Sequence, residues 1–155
     1  MSLPKLSQHQ RTAMKNSNGL DTLFRVNNQA GAPLRQSMHM LKAFDLEPWH
    51  GLILEMLDSA PYPLPVTEVV TALRRPKSTI TKATDHLRDA DLIDKRQNKK
   101  DGRSLVVQIT PQGRAALEDF RQAYRQTEAL LCHGIPEAEL ATFLKVLARM
   151  EKNLE

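Results

Sequence analysis

The most constraining feature of this sequence is a change in the spacing of its apolar residues near position 91. Up to Ala90 they recur at steps of three and four, which is typical of helices that bury one face. Two short segments, 92–96 and 104–109, are instead β-branched and partly alternating. The stretch between them, 97–103, is rich in turn residues, so the pattern predicts a β-hairpin with a basic tip.

Helical spacing is found on both sides of this hairpin. The first helix begins near Leu20 and contains Pro33, which should kink or divide it. The others are predicted after Pro48, over 66–73, from Pro76 to about Ala90, from Thr110-Pro111 to about Leu131, and over about 140–154. In the helix after Pro48, the residues expected to face inward are Leu52, Ile53, Met56 and Leu57.

Local signals mark the joints between these elements. Three prolines in the segment 60–65 predict an extended connector. Asp91 is expected to end its helix in a left-handed conformation, although glycine is the usual residue there. Thr110 offers an N-cap hydroxyl and Pro111 a proline at the first helical position, which together predict a helix start.

The order of elements predicts a mainly α fold with a small β-hairpin wing, namely a winged helix-turn-helix plus a helical region. A length of 155 residues suits one compact unit. We assign residues 47–110 to the winged domain, 19–46 and 111–155 to the helical region, and 1–18 to a polar N-terminal arm. The apolar rows of the helical region exceed what a small winged domain can bury, and an intramolecular bundle or a dimer would satisfy them.

Composition limits the class of protein. The longest uninterrupted apolar run has four residues, 129–132, so no membrane span is expected. The first residues lack the apolar core of a signal peptide. The one cysteine cannot form an internal disulfide, which fits a reducing cytoplasm.

The positive charge is concentrated in one segment. The chain has 22 Lys and Arg against 18 Asp and Glu, a net charge of +4. The segment 71–103 carries +5 and the remainder −1. This concentration is typical of a nucleic-acid-binding face, although a solvated charged surface would have the same composition.

Helix 76–90 is the second helix of the helix-turn-helix, the one that enters the major groove in such proteins. With Ile80, Ala83, Leu87 and Ala90 buried, its opposite side is polar. Asp85 would repel phosphate unless it pairs with Arg88 or orients a neighbouring side chain, so a structural role is expected for it. The residues predicted to contact DNA from this helix are Lys77, Ser78, Thr79, Thr81 and Lys82.

The hairpin tip offers a second contact. Its candidate residues are Lys99, Lys100, Asp101 and Arg103. An arginine on a narrow tip can enter the minor groove, and Asp101 could hold its guanidinium in a bidentate pair. A solvated turn is the alternative explanation.

The sequence resembles the MarR-type winged-helix regulators in four stretches: Ser78-Thr-Ile-Thr-Lys82 with Leu87, Asp91-Leu-Ile93 with Arg96, Asp101-Gly-Arg103, and Gln108-Ile-Thr110-Pro-Gln-Gly113. The resemblance spans about Leu20 to Glu155. It implies a homodimer that binds a palindromic operator and is released by a small-molecule effector or an oxidant. It also implies that Arg103 is the wing arginine and Asp101 its partner. The sequence departs from the family at Asp91, usually Gly, and at Gly102, where a second Arg is common.

The same resemblance assigns the outer helices to the dimer interface. The candidate residues are Leu20, Phe24, Leu131, Leu140, Phe143, Leu147, Met150 and Leu154. An effector pocket could be lined by Met38, His39 and Trp49 at the junction of the two regions, and core packing is the alternative for these three.

Other chemistry has little support. Cys132 could be redox-active, but its place at the end of an apolar helix favours a buried or capping residue. The five histidines lack metal-ligand spacing, and no catalytic or cofactor motif is present, so we expect no metal, no cofactor and no enzyme activity. Together with the resemblance, the sequence therefore predicts a cytoplasmic, homodimeric, sequence-specific DNA-binding regulator that acts as a repressor. A winged-helix protein-interaction module without DNA binding is the alternative.

Overall fold

The computed structural model describes residues 19–37, 41, 44–99 and 101–154. The described part is mainly helical with one small antiparallel sheet, which confirms the predicted fold class. Its elements, in order, are α1 (Gly19–Ser37), α2 (His50–Ser59), β1 (Leu64–Pro65), α3 (Val66–Leu73), α4 (Lys77–Asp89), β2 (Ile93–Gln97), β3 (Leu105–Ile109), α5 (Pro111–Leu131) and α6 (Glu137–Lys152).

Helix α1 continues through Pro33 to Ser37, so the proline does not divide the helix at that point. A proline inside a helix removes one backbone hydrogen bond, and the remaining bonds on either side keep this helix continuous.

The sheet has three strands in the order β1-β3-β2. Strands β2 and β3 form the predicted hairpin, paired from Ile93 with Ile109 to Gln97 with Leu105. The connector prediction was incomplete, because Leu64 and Pro65 also pair with β3. Pro65 lacks a backbone donor, and an edge strand is the place in a sheet where this loss is tolerated.

The core lies between α2, α3, α4, the sheet and the first turns of α5. The four predicted inner residues of α4 are all buried. In α2 the prediction was wrong by one position: Leu52 is exposed and Leu54 is buried. The helix begins at His50, so its buried stripe follows positions 50, 53, 54 and 57.

The link between sheet and helical region follows the predicted local signals. Asp91 adopts the left-handed conformation, with φ of 58°. Thr110 is the N-cap of α5, where its hydroxyl accepts the Gly113 N–H at 2.9 Å. That hydroxyl also donates to the Asp91 carbonyl at 2.7 Å, so the start of α5 is fastened to the turn after α4.

Helix α6 has no buried residue, although its apolar residues recur at helical spacing. Gly134, with φ of 75°, and Pro136 separate it from α5. The side chains of Phe143, Leu144, Met150 and Leu154 are half or more exposed. The described part of one chain therefore leaves this apolar face uncovered.

Candidate nucleic-acid interface

Helix α4 presents the side chains predicted to contact DNA away from the core. Lys77, Ser78 and Lys82 are exposed, and Thr79 and Thr81 are partly exposed. No carboxylate in the described residues pairs with Lys77 or Lys82. The placement agrees with a groove-reading face, and the DNA contact itself stays a prediction.

Asp85 has a structural role that ties α4 to the wing. It pairs with Arg88 at 3.1 Å, one of the two alternatives considered for it, and also with Nζ of Lys95 at 2.9 Å. Lys95 donates a second bond to the Thr84 hydroxyl at 3.0 Å, and its side chain is only 5% exposed. Lys95 belongs to the basic segment 71–103, but its charge is paired with Asp85 inside the protein. The spacing of residues in the sequence does not predict this pair.

The wing tip is built on a capped turn. The Asp101 carboxylate accepts the backbone N–H of Arg103 at 3.1 Å, and its carbonyl accepts the Ser104 N–H at 3.1 Å. The predicted bidentate pair between Asp101 and the Arg103 guanidinium is therefore wrong: the short Asp side chain closes the turn on the backbone instead. Lys100 lies outside the described residues, and Lys99 is exposed.

The Arg103 side chain is exposed and has no carboxylate partner within the described ranges. The arginines of α5 behave differently. Arg114 pairs with Asp58, Arg121 with Glu55 and Asp58, and Arg125 with Glu118. The pairing raises the pKa of Arg121, chiefly through its hydrogen bonds to Glu55. Unpaired positive charge is thus available on the wing tip, while the guanidinium groups of α5 are neutralised locally.

Trp49 lies at the junction where the chain enters α2. The guanidinium carbon of Arg75 stands 4.2 Å from the centre of its ring, and the His50 ring meets it edge-on at 4.3 Å. Of the proposed pocket residues, Met38 and His39 fall outside the described part of the chain. Trp49 is half-buried, and Arg75 covers one face of its ring.

His50 is a neutral, buried imidazole. Its Nδ1 accepts the backbone N–H of Glu47 at 3.2 Å, so that nitrogen carries no proton. The pKa of His50 is lowered to about 4, chiefly because the ring is buried and secondly because His86 and Arg75 lie nearby and disfavour its positive charge. Sequence reasoning gave this histidine no role, because only the fold buries it.

This depressed pKa predicts acid sensitivity. Below pH 6.5 the unfolded chain protonates His50 while the folded chain does not, so stability falls as the pH drops towards 4. His50→Asn keeps an acceptor near the Nδ1 position but cannot titrate. We expect the midpoint of thermal unfolding, followed by circular dichroism, to fall less between pH 6.5 and 4 in this variant than in the wild type. Equal falls would mean that His50 does not contribute.

Cys132 is the residue that ends α5, where its backbone N–H donates to the Glu128 carbonyl, and its side chain is half-buried. Within the described ranges, no three His, Cys, Asp or Glu side chains are grouped so that they could hold a metal ion. None of the helices described is both long and apolar enough to cross a membrane.

Helices α2 to α4 with the β2–β3 hairpin form a winged helix-turn-helix, a class of domain whose second helix characteristically enters the major groove of DNA. Residues 44–104 match the model of the MarR family. This match confirms the resemblance of the sequence to the MarR-type winged-helix regulators. Members of this family are transcription regulators and not enzymes.

Three solved structures illustrate the similarity. A MarR-family regulator from Silicibacter pomeroyi is 26% identical, with 86% of this chain and 88% of that chain covered and a TM-score of 0.67. S. aureus MepR, in complex with DNA, is 22% identical, with 90% of this chain and 100% of that chain covered and a TM-score of 0.76. The PcaV regulator from Streptomyces coelicolor, in complex with its natural ligand, is 17% identical over 100% of both chains, with a TM-score of 0.76.

Proposed function

We propose that the chain is a homodimeric, sequence-specific DNA-binding repressor that a small-molecule effector or an oxidant releases from its operator. The observation that carries this proposal is the exposed, unpaired charge of Lys82 and Arg103 on two elements that the Asp85–Lys95 pair holds together. A rigid link between helix and wing is what simultaneous contact with two grooves requires.

In the proposed complex, α4 lies in the major groove and the wing reaches the adjacent minor groove. Lys77, Ser78, Thr79, Thr81 and Lys82 contact base edges or phosphates from the helix. Lys99, Lys100 and Arg103 contact the backbone and the minor groove from the wing, while Asp101 shapes its turn. The S. aureus MepR–DNA complex, which shares the fold, supports DNA as the partner.

The dimer is proposed from the uncovered face of α6. Leu131, Phe143, Met150 and Leu154 are exposed, and Leu140 and Leu147 are partly exposed. A continuous apolar stripe on a helix is expected to be covered by a partner. Leu20 and Phe24 lie on α1, but their side chains are outside the described residues. We assign 19–46 and 111–155 to dimerisation, and 47–110 to DNA binding.

A two-fold dimer sets the two α4 helices about one DNA turn, roughly 34 Å, apart on a palindromic site. The proposed effector, by binding near Met38, His39 and Trp49, changes this separation and so releases the operator. The ligand-bound PcaV regulator supports a small molecule as effector. A protein that binds the chromosome in this way acts in the cytoplasm.

The test is operator binding by variants of the two proposed contacts. The operator is first selected from random duplexes with the purified protein. We expect Arg103→Ala and Lys82→Ala each to weaken binding by about 1–3 kcal/mol per site if the side chain reads bases, as measured by fluorescence anisotropy. Arg125→Ala, which removes the same charge from an arginine already paired with Glu118, is the control. Unchanged affinity for Arg103→Ala would refute the wing contact.

Comparison with random DNA separates base contacts from phosphate contacts. If Lys82→Ala lowers the affinity equally for operator and random duplexes, Lys82 contacts a phosphate. The second candidate function, a protein-interaction module, predicts no steep fall of DNA affinity with salt, whereas a regulator loses affinity linearly in the logarithm of salt concentration.

A further inference from the structure

Arg75 and Trp49 form a stacked pair at the entrance to α4. Arg75 stands in the turn between α3 and α4, two residues before α4 begins at Lys77. Its guanidinium carbon lies 4.2 Å above the centre of the Trp49 ring. The distance is well inside the range of about 6 Å at which a cation is attracted to an aromatic face.

The Trp49 ring is itself held in place. His50, which is buried, packs edge-on against it at 4.3 Å between ring centres. The preceding carbonyl, that of Pro48, accepts a hydrogen bond from the Tyr124 hydroxyl of α5. Trp49 is therefore a fixed platform that connects the helical region to the turn before α4.

Arg75 is exposed and has no carboxylate partner in the described part of the chain. This separates it from Arg88, which is neutralised by Asp85 and Asp89. A guanidinium that stacks on a ring still has its N–H donors free in its plane, where they suit the oxygens of a phosphate.

We propose that Arg75 is a further phosphate-contacting residue at the DNA interface and that Trp49 is the positioning residue that holds it. The inference rests on the proposed DNA-binding function and adds a contact outside α4 and the wing. The stack restricts a long, flexible side chain before DNA arrives, so that less conformational freedom is lost on binding. Without the ring, Arg75 would be a solvated side chain with many orientations.

The binding test uses a mixed-sequence duplex of about 30 base pairs, roughly three helical turns, because phosphate contacts do not require the operator. Arg75→Ala should lower the slope of log affinity against log salt by about 0.9 for each lost phosphate contact. Trp49→Leu should weaken binding about two- to fivefold per site, the range expected for losing an exposed cation–π contact. The DNA affinity of Trp49→Phe, which keeps an aromatic face, should lie between those of Trp49→Leu and the wild type.

Two controls make the result specific. Arg125→Ala removes one positive charge from α5 and should leave the slope unchanged, because Arg125 is paired with Glu118. Adding Trp49→Leu to Arg75→Ala should cause no further loss, since the ring is proposed to act only through Arg75. Circular dichroism establishes that each variant is folded, and Trp49→Phe tests the ring with the smallest change in packing.

Fluorescence gives an independent reading of the stack. Trp49 is the one tryptophan in the chain, so its emission reports on Arg75 without a label. We expect Arg75→Ala to alter this emission in the free protein and to abolish its response to DNA.

The possible outcomes are distinct. Suppose that wild-type affinity depends on salt and that Arg103→Ala weakens binding, but that Arg75→Ala leaves the salt slope unchanged and Trp49→Leu leaves the affinity unchanged. This inference is then overturned and the proposed function stands. A changed emission with unchanged DNA affinity would also overturn it, because Arg75 would then only cover the ring. If the wild type shows no salt-dependent binding, the proposed function fails and this inference fails with it.

Discussion

Gly113→Ala is expected to destabilise the protein by about 3 kcal/mol or more. For a chain of this length, such a loss lowers the midpoint of thermal unfolding by roughly 6–12 °C. A Cβ atom at position 113 would lie 2.0 Å from the carbonyl oxygen of Leu92 and 2.8 Å from Cγ1 of Ile109. The Leu92 oxygen belongs to the backbone and cannot rotate away, so α5 would have to move off the sheet.

That movement would break the bonds that fasten α5 to the winged domain. The Gly113 N–H donates to the Thr110 hydroxyl, which in turn donates to the Asp91 carbonyl. The backbone N–H of Thr110 also donates to the Leu92 carbonyl at 3.1 Å. Loss of the N-cap alone costs about 1 kcal/mol, and the steric overlap adds to it.

Gly102→Ala is the matched control. The same methyl group at the wing tip would meet no atom of the described residues within 4 Å, so its effect should stay within about 0.5 kcal/mol. Both variants are measured by thermal and urea unfolding followed by circular dichroism. Similar stabilities for the two would contradict the close packing of α5 against the turn at Leu92.

Features of the fold that depend on neighbours in sequence were predictable. The buried face of α4 follows from helical spacing, and the hairpin from a turn-rich stretch between β-branched segments. The left-handed Asp91 and the Thr110 N-cap each depend on a few adjacent residues. These local preferences agree with the final fold, which is why these features can be predicted from the sequence.

The remaining features depend on residues far apart in the chain. The prolines around strand β1 predict a connector, and only its pairing with β3 makes it a strand. Lys95 is buried by Asp85 and Thr84 across the helix–wing contact, ten residues away or more. The stack of Arg75 on Trp49 joins two segments that no spacing rule connects.

Asp101 shows a different limit of sequence analysis. The resemblance implies that Asp101 is the partner of the wing arginine. In the structure its carboxylate accepts a hydrogen bond from the backbone N–H of Arg103 and not from the guanidinium. Both arrangements need the same two residues at the same spacing. Only the coordinates of the turn distinguish them, and the guanidinium is consequently left available for the proposed contact with DNA.

Phe143→Asp is expected to separate the proposed dimer into monomers. Phe143 is half exposed in one chain and lies on the uncovered face of α6. Burying a fully exposed phenylalanine is worth about 1.5–3 kcal/mol. About half of this remains for Phe143 and a two-fold interface contains two copies, so about 1.5–3 kcal/mol is lost. The dimer dissociation constant should therefore rise about 10- to 10²-fold, before the cost of burying the new carboxylate is added.

The measurement is sedimentation equilibrium across a range of protein concentrations, with Ala141→Asp as the control. Ala141 is exposed and two residues from Phe143, hence about 160° away around the helix. It receives the same charge on the opposite face and should leave the dimer intact. The winged domain should stay folded in both variants, because α6 contributes no buried residue to its core.

DNA affinity should fall only in Phe143→Asp, since a monomer binds one half-site without the gain from linkage. Dimers of equal strength in both variants would exclude this face of α6 from the interface.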